Sequence, residues 1–140
     1  MNHYLQDLNL IDLLSEKHLA LRKKVIDSIS EDLNKTETHI LAILEVHQKL
    51  SISEISRIIN LSRQGTHKSI HGLLGRGYVK SVDVENNHRD RHISLTTKGL
   101  ESNTNMMIIK KQLEQEIIHK LGETNVEMIK ALLKEEWLQN

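Results

Sequence analysis

The stretch SRQGTHKSIH at 62–71 concentrates hydrogen-bonding side chains: Ser62, Arg63, Gln64, Thr66, His67, Lys68 and His71. Two of these are permanent cations. An arginine in such a row can grip the O6 and N7 edge of guanine through two parallel hydrogen bonds. A glutamine can do the same for N6 and N7 of adenine, and each such pair is worth roughly 1–3 kcal/mol of discrimination between bases. Further along, NNHRDRH at 86–92 supplies Arg89 and Arg91 on what reads as a projecting turn. An arginine there suits a narrow minor groove, where the negative potential is enhanced.

Other chemistries find less support. There is no GxxxxGK[ST] phosphate loop, no GxSxG nucleophile elbow and no HExxH metal helix, so the chain reads as a non-enzyme. Zero cysteines exclude a disulfide scaffold, a thiol switch, a cysteine nucleophile and any cysteine-ligated zinc. Nine histidines are present, and His67 and His71 form an i, i+4 pair that could ligate a metal. They share the face of Arg63 and Lys68, so contact with DNA is the preferred reading there, and no cofactor is implied. A metal-responsive regulator using surface histidines stays as an alternative.

Charge supports the polyanion reading only when it is resolved along the chain. The 140 residues carry 19 Lys+Arg against 19 Asp+Glu, a net charge of zero. Residues 55–80 nevertheless hold Arg57, Arg63, Lys68, Arg76 and Lys80 with no acid at all. A basic middle between acidic flanks lets one face attract a polyanion while another repels it.

The elements that must position these residues follow from periodicity and caps. Leu5, Leu8, Ile11, Leu14, Leu21 and Val25 recur at helical spacing, predicting one amphipathic helix from Tyr4 to about Ser28. Asn34 with Glu37 is a capping box that opens a second helix ending near His47. Ser51 with Glu54 opens a short third one, with Ile52, Ile55 and Ile59 inward. Asn60 tolerates the left-handed conformation that ends a helix, and Ser62 can cap a fourth running to about Arg76 with Thr66, Ile70 and Leu73 inward. The pair at 51–76 is a helix-turn-helix, which sets its second helix into the major groove. Alternation then predicts two short strands around a tip at Asn86–Asn87–His88. Thr96 or Thr97 caps a long fifth helix, Gly122 breaks it, and Thr124 with Glu127 caps a sixth that carries Trp137. The expected fold is mainly α with a small antiparallel β-hairpin wing, a winged helix-turn-helix flanked by dimerisation helices. It forms a single domain over 1–140, with arms at 1–30 and 97–140 and a DNA-binding module at 34–96.

With these motifs in place, the chain resembles the MarR (multiple antibiotic resistance regulator) family of winged-helix transcription factors. The resemblance is carried by LNKTETHIL at 33–41, LSISEISRIINLSRQGTHKSIHGLLGRGYV at 50–79 and HRDRHISLTTKG at 88–99. LT-x-x-G at 95–99 after an arginine-bearing wing is its most specific element. The resemblance implies a homodimer built from the first and last helices that binds palindromic double-stranded operator DNA as a regulator, in the repressor role. Arg63, Gln64, His67 and Lys68 would lie on the recognition helix, with Arg89 or Arg91 as the wing arginine. The sequence departs from the family in having Asn87 where an Asp usually precedes that arginine, and in the glycines at 65, 72 and 75.

Long apolar stripes at both ends call for partners, which a second copy would supply. Many members of the family answer to phenolic ligands, thiol oxidation or zinc. Absent cysteines remove thiol oxidation, and three aromatics (Tyr4, Tyr78 and Trp137) give little to line a phenolic pocket. A small-molecule effector thus stays unnamed. No run of 18 apolar residues and no signal-like N-terminus is present, so the expected compartment is the cytoplasm, away from membrane. A winged helix that binds protein instead of DNA is the alternative from another class.

Overall fold

Helix starts are decided by side chains that satisfy otherwise orphaned backbone N–H groups. The computed structural model describes residues 3–84 and 87–139, with side chains for 5–82 and 91–139. Its first α-helix, α1, spans Leu10–Ser28 and begins where the Asn9 side chain accepts from the Asp12 N–H at 2.9 Å. A separate 3-10 turn, His3–Asp7, precedes it. The continuous helix expected from Tyr4 is therefore broken, because Asn9 offers the backbone a fresh start. The capping box of Asn34 and Glu37 opens α2, Lys35–His47, with both reciprocal hydrogen bonds at 2.9 Å.

The strand β1, Lys49–Ser51, follows a turn at Gln48, whose φ of 68° carries the chain out of α2. Three residues are too few to show alternation, so this strand has no signature along the chain. The Ser51–Glu54 box then starts α3, Ile52–Ile59. Asn60 closes it in the left-handed region (φ 54°, ψ 50°), and the Ser62 hydroxyl accepts from the Gly65 N–H at 3.1 Å to open α4, Arg63–Gly75.

Strands β2, Val79–Val84, and β3, Asn87–Leu95, complete an antiparallel sheet of order β1-β3-β2. Ile93 is opposite both Leu50 and Ser81, and the β2–β3 register shifts between Val82 and Val84. Both strands outrun the expected hairpin. Asn87 and His88 belong to β3 rather than to a tip, whose remaining residue, Asn86, lies outside the described residues. Thr96 caps α5, Thr97–Leu121, and Gly122 (φ 94°) ends it and leads into α6, Glu123–Lys134. The expected Thr124–Glu127 box does not form because Thr124 is already inside the first turn of α6, which has no side-chain cap. Trp137 falls beyond that helix, where its indole N–H donates to the Leu132 carbonyl at 2.7 Å.

Burial is concentrated in the middle of the chain. Leu33, Ile40, Leu41, Leu44, Leu50, Ile55, Ile70, Leu73, Tyr78, Val79, Ile93 and Leu95 form one apolar cluster that wedges α2, α3 and α4 against the sheet. The arms add the buried side chains of Val25, Met106 and Val126, yet expose many others. One close approach joins module to arm. At Gly99, in the first turn of α5, a Cβ would lie 2.3 Å from the Tyr78 carbonyl oxygen and 3.0 Å from Leu95 Cδ2. That carbonyl accepts from the Thr96 N–H at 3.1 Å and has the Thr96 hydroxyl 3.0 Å away. The glycine of LT-x-x-G is thus required by contact.

Candidate functional site

The fourth helix divides its residues as a 3.6-residue period demands. Thr66, Ile70 and Leu73 are buried against α3 and the sheet, while Ser62, Arg63, Gln64, His67, Lys68 and His71 are all exposed. Thr66 departs from its role as a contact residue: it has no exposed surface. Its hydroxyl donates to the Ser62 carbonyl at 2.9 Å and lies 3.3 Å from Ser56 Oγ, which itself donates to the Leu61 carbonyl at 3.1 Å. Thr66 therefore welds the turn between α3 and α4 and presents nothing outward. The Ser62 hydroxyl is committed as a cap, so its free surface is what a ligand could meet. Gly65 has a local explanation too: a Cβ there would stand 3.1 Å from Ser62 Oγ and 3.3 Å from Leu61 Cγ.

Arg91 is not on a projecting tip. It lies within β3, exposed, and shares with Ser81, His67 and His71 the rim of a hollow of about 310 Å³ floored by Ile52, Ile70, Leu74 and Ile93. The structure thus brings His67, His71 and Arg91 together along one edge, with Arg63, Gln64 and Lys68 on the same helix. Arg89 is in β3 too, but its side chain lies outside the described residues, as does that of Asp90. Among the described residues, no ion pair or side-chain hydrogen bond engages Arg63, Lys68 or Arg91. Their charge is presented to solvent, and no acid lies on α4 to neutralise it. Also among the described residues, no group of three or more His, Cys, Asp or Glu is placed to hold a metal ion.

Behind this face sits a network that sequence reading missed. Arg76, the residue capping the end of α4, turns its guanidinium back onto Glu37 and the Asp32 carbonyl. Tyr78 donates its hydroxyl to Glu31 Oε2 at 2.9 Å, and burial followed by that hydrogen bond pushes its pKa up to about 12. The only trace of this network in the sequence was Glu37, read there for its capping role alone. On the far side of α2, partial desolvation holds His39 below its ordinary pKa, helped by the charges of Arg22, His18, Lys110 and Lys35.

The apolar stripes of the arms are largely uncovered. Leu10, Ile11 and Leu19 on α1, Met107 and Ile108 on α5, and Met128, Ile129, Leu132 and Leu133 on α6 are all exposed, most of them by half or more. Single exposed apolar residues are ordinary, but a set this large on adjacent helices marks an interaction surface. No helix among the described residues is long and apolar enough to cross a membrane.

Comparison with known proteins bears on the fold that carries this face. Residues 31–90, from the connection before α2 into β3, match the model of the MarR family. The HTH-type transcriptional regulator PapX of Escherichia coli is 32% identical over 95 residues. That alignment takes in 63% of this chain and 58% of PapX, so the chain spans less than two thirds of that relative's length. Reduced MarR from Escherichia coli superposes with a TM-score of 0.82 at 19% identity, over 91% of this chain and 95% of that one. MepR, a transcription regulator of the Staphylococcus aureus multidrug efflux pump MepA, gives 0.74 at 20% identity, over 90% and 94%. A mutant MarR from Escherichia coli complexed with operator DNA gives 0.68 at 19% identity, over 89% of each chain. At such identities the structural likeness establishes the winged-helix fold.

Proposed function

Because residues 31–90 match the MarR family and the whole fold is similar to MarR structures, we propose that the chain is a MarR-family transcriptional regulator that binds double-stranded DNA as a homodimer. One observation carries the proposal: an acid-free helix turns Arg63, Gln64, His67, Lys68 and His71 outward together, with Arg91 beside them and their charges unpaired among the described residues. Residues 34–96 form the DNA-binding module, and 1–30 and 97–140 form the arms. The helix α4 enters the major groove N-terminal end first, so Arg63 and Gln64 meet base edges while Lys68 meets phosphate. His67 and His71 extend the contact toward the wing. An arginine of β3 follows the adjacent minor groove. Arg91 opens from the rim of the recognition helix, and Arg89 continues the strand toward the hairpin end.

Dimerisation follows from the uncovered stripes of α1, α5 and α6. A second copy buries them about a two-fold axis, and that symmetry dictates a palindromic operator with half-sites one helical turn apart. Occupying such an operator obstructs transcription, which makes repression the natural output.

Selection of bound fragments from a pool of random duplex DNA tests this reading. An inverted repeat with half-site centres about 10 base pairs apart is the expected product. A pool that stays random after several rounds, or enriches an unpaired single site, would overturn it.

A further inference from the structure

The network at the end of α4 has a geometry that goes beyond holding a helix in place. Arg76 Nε donates to the Gly72 carbonyl at 3.1 Å, Nη1 to the Asp32 carbonyl and Nη2 to Glu37 Oε2. Glu37 is itself buried, and its other oxygen accepts from the Asn34 N–H at 2.9 Å. One carboxylate therefore caps α2 and grips α4 at once. Gly72 makes room for this: a Cβ there would stand 3.3 Å from Arg76 Nη2 and 3.6 Å from Glu37 Oε2. The glycine at 72 is thus explained by the guanidinium that folds across it. The start of α5 joins in as well. Lys98 Nζ donates to the Arg76 carbonyl at 2.7 Å and lies 4.3 Å from the centre of the Tyr78 ring. Tyr78 in turn bonds Glu31. Three segments meet here: the connection from α1 to α2, the end of the recognition helix, and the root of the dimer arm.

We propose that Arg76 is a positioning residue that sets the angle of the recognition helix against the α1–α2 connection, and so governs discrimination between DNA sequences without touching DNA. The inference rests on the DNA-binding reading above. Its physical basis is leverage. Base-edge hydrogen bonds fail beyond a few tenths of an ångström of misplacement, whereas attraction to phosphates falls off gradually with distance. A helix freed at one end therefore loses sequence preference before it loses general affinity. Removing the half-buried Arg76 guanidinium also strands the buried Glu37 carboxylate, so the Glu37→Gln change, which keeps the cap, is the necessary companion to Arg76→Gln.

The test measures affinity for an enriched operator and for a scrambled duplex of the same length, across salt, at a temperature well below the thermal transition of each variant. For Arg76→Gln and for Glu37→Gln, the operator-to-scrambled ratio should fall about 10-fold, the scale of one lost base contact, with scrambled affinity and salt slope unchanged. Arg76→Lys reaches Glu37 but cannot fork to the Asp32 carbonyl, so it should recover part of the ratio. It also carries the comparison if Arg76→Gln fails to fold. Equal losses on both duplexes with the salt slope lowered by about one would make Arg76 a phosphate contact and overturn the proposal. An unchanged ratio in a variant whose thermal stability has dropped would reduce the network to a structural one and overturn it as well. A wild-type chain that does not distinguish the two duplexes would overturn the DNA reading, and this inference with it.

Discussion

Replacing Gly99 by alanine isolates the contact between module and arm. Two effects compete. Alanine is the better helix former by about 1 kcal/mol, which favours the variant. Against this, the new Cβ falls 2.3 Å from the Tyr78 carbonyl oxygen, so α5 and the start of β2 must separate by about 1 Å to reach ordinary contact. Leu95 Cδ2, at 3.0 Å, can rotate away, but the carbonyl is held by the Thr96 N–H and hydroxyl. Overpacking of this kind costs about 1–3 kcal/mol, and each hydrogen bond stretched in relief about 1 kcal/mol more. The clash wins, with a net loss of about 2 kcal/mol, or a Tm lower by about 6 °C for a chain of this length. Gly75 is the control. It ends α4 with nothing within 4 Å of its Cβ position, so Gly75→Ala should raise Tm by about 2 °C through propensity alone. Thermal and urea unfolding of both variants decide the matter. A Gly99→Ala chain at least as stable as wild type, or a Gly75→Ala chain that loses as much, would refute the contact argument.

Arg63→Ala should relax base preference at one position in each half-site, costing about 1–3 kcal/mol there, as read from binding to operators varied base by base. Arg91→Ala should weaken binding most on A·T-narrowed flanks and leave half-site preference intact; equal affinity on all flanks would remove Arg91 from the groove. Leu132→Glu, present twice across a two-fold, should raise the dimer dissociation constant by about 100-fold or more in sedimentation. His39 has its folded pKa depressed below about 6.5, so below that pH the unfolded chain binds the extra proton and stability is lost as pH falls. His39→Gln should therefore flatten the fall of Tm from pH 7 toward pH 5, and an unaltered slope would exclude His39 as its source.

How much of this was legible in the sequence depended on how local each signal is. The boxes at Asn34–Glu37 and Ser51–Glu54, the left-handed Asn60 and the Ser62 cap are short-range chemistry, and each formed as read. Local reading failed at Asn9, where the apolar stripe suggests one continuous helix but the Asn9 cap starts a new one. It failed again at Thr124, where Gly122 alone started the helix. The strand β1 exists only through pairing with β3, and Thr66 showed its inward placement in its period although its side-chain chemistry suggested contact. Arg91 looked like a tip residue because the polar run NNHRDRH conceals that β3 begins at Asn87. The Arg76–Glu37 pair spans 39 positions and joins residues that each have a sufficient local role, so no pattern along the chain announces it.

The central claim is that two copies of α4 read base edges in successive major grooves. Methylation interference at guanine N7 on the selected operator tests it at the atoms concerned. Two symmetric clusters on one side of the duplex, about 10 base pairs apart and weakened together by Arg63→Ala, are the predicted pattern. Interference confined to a single patch, or methylation at N7 that leaves binding untouched, would contradict it.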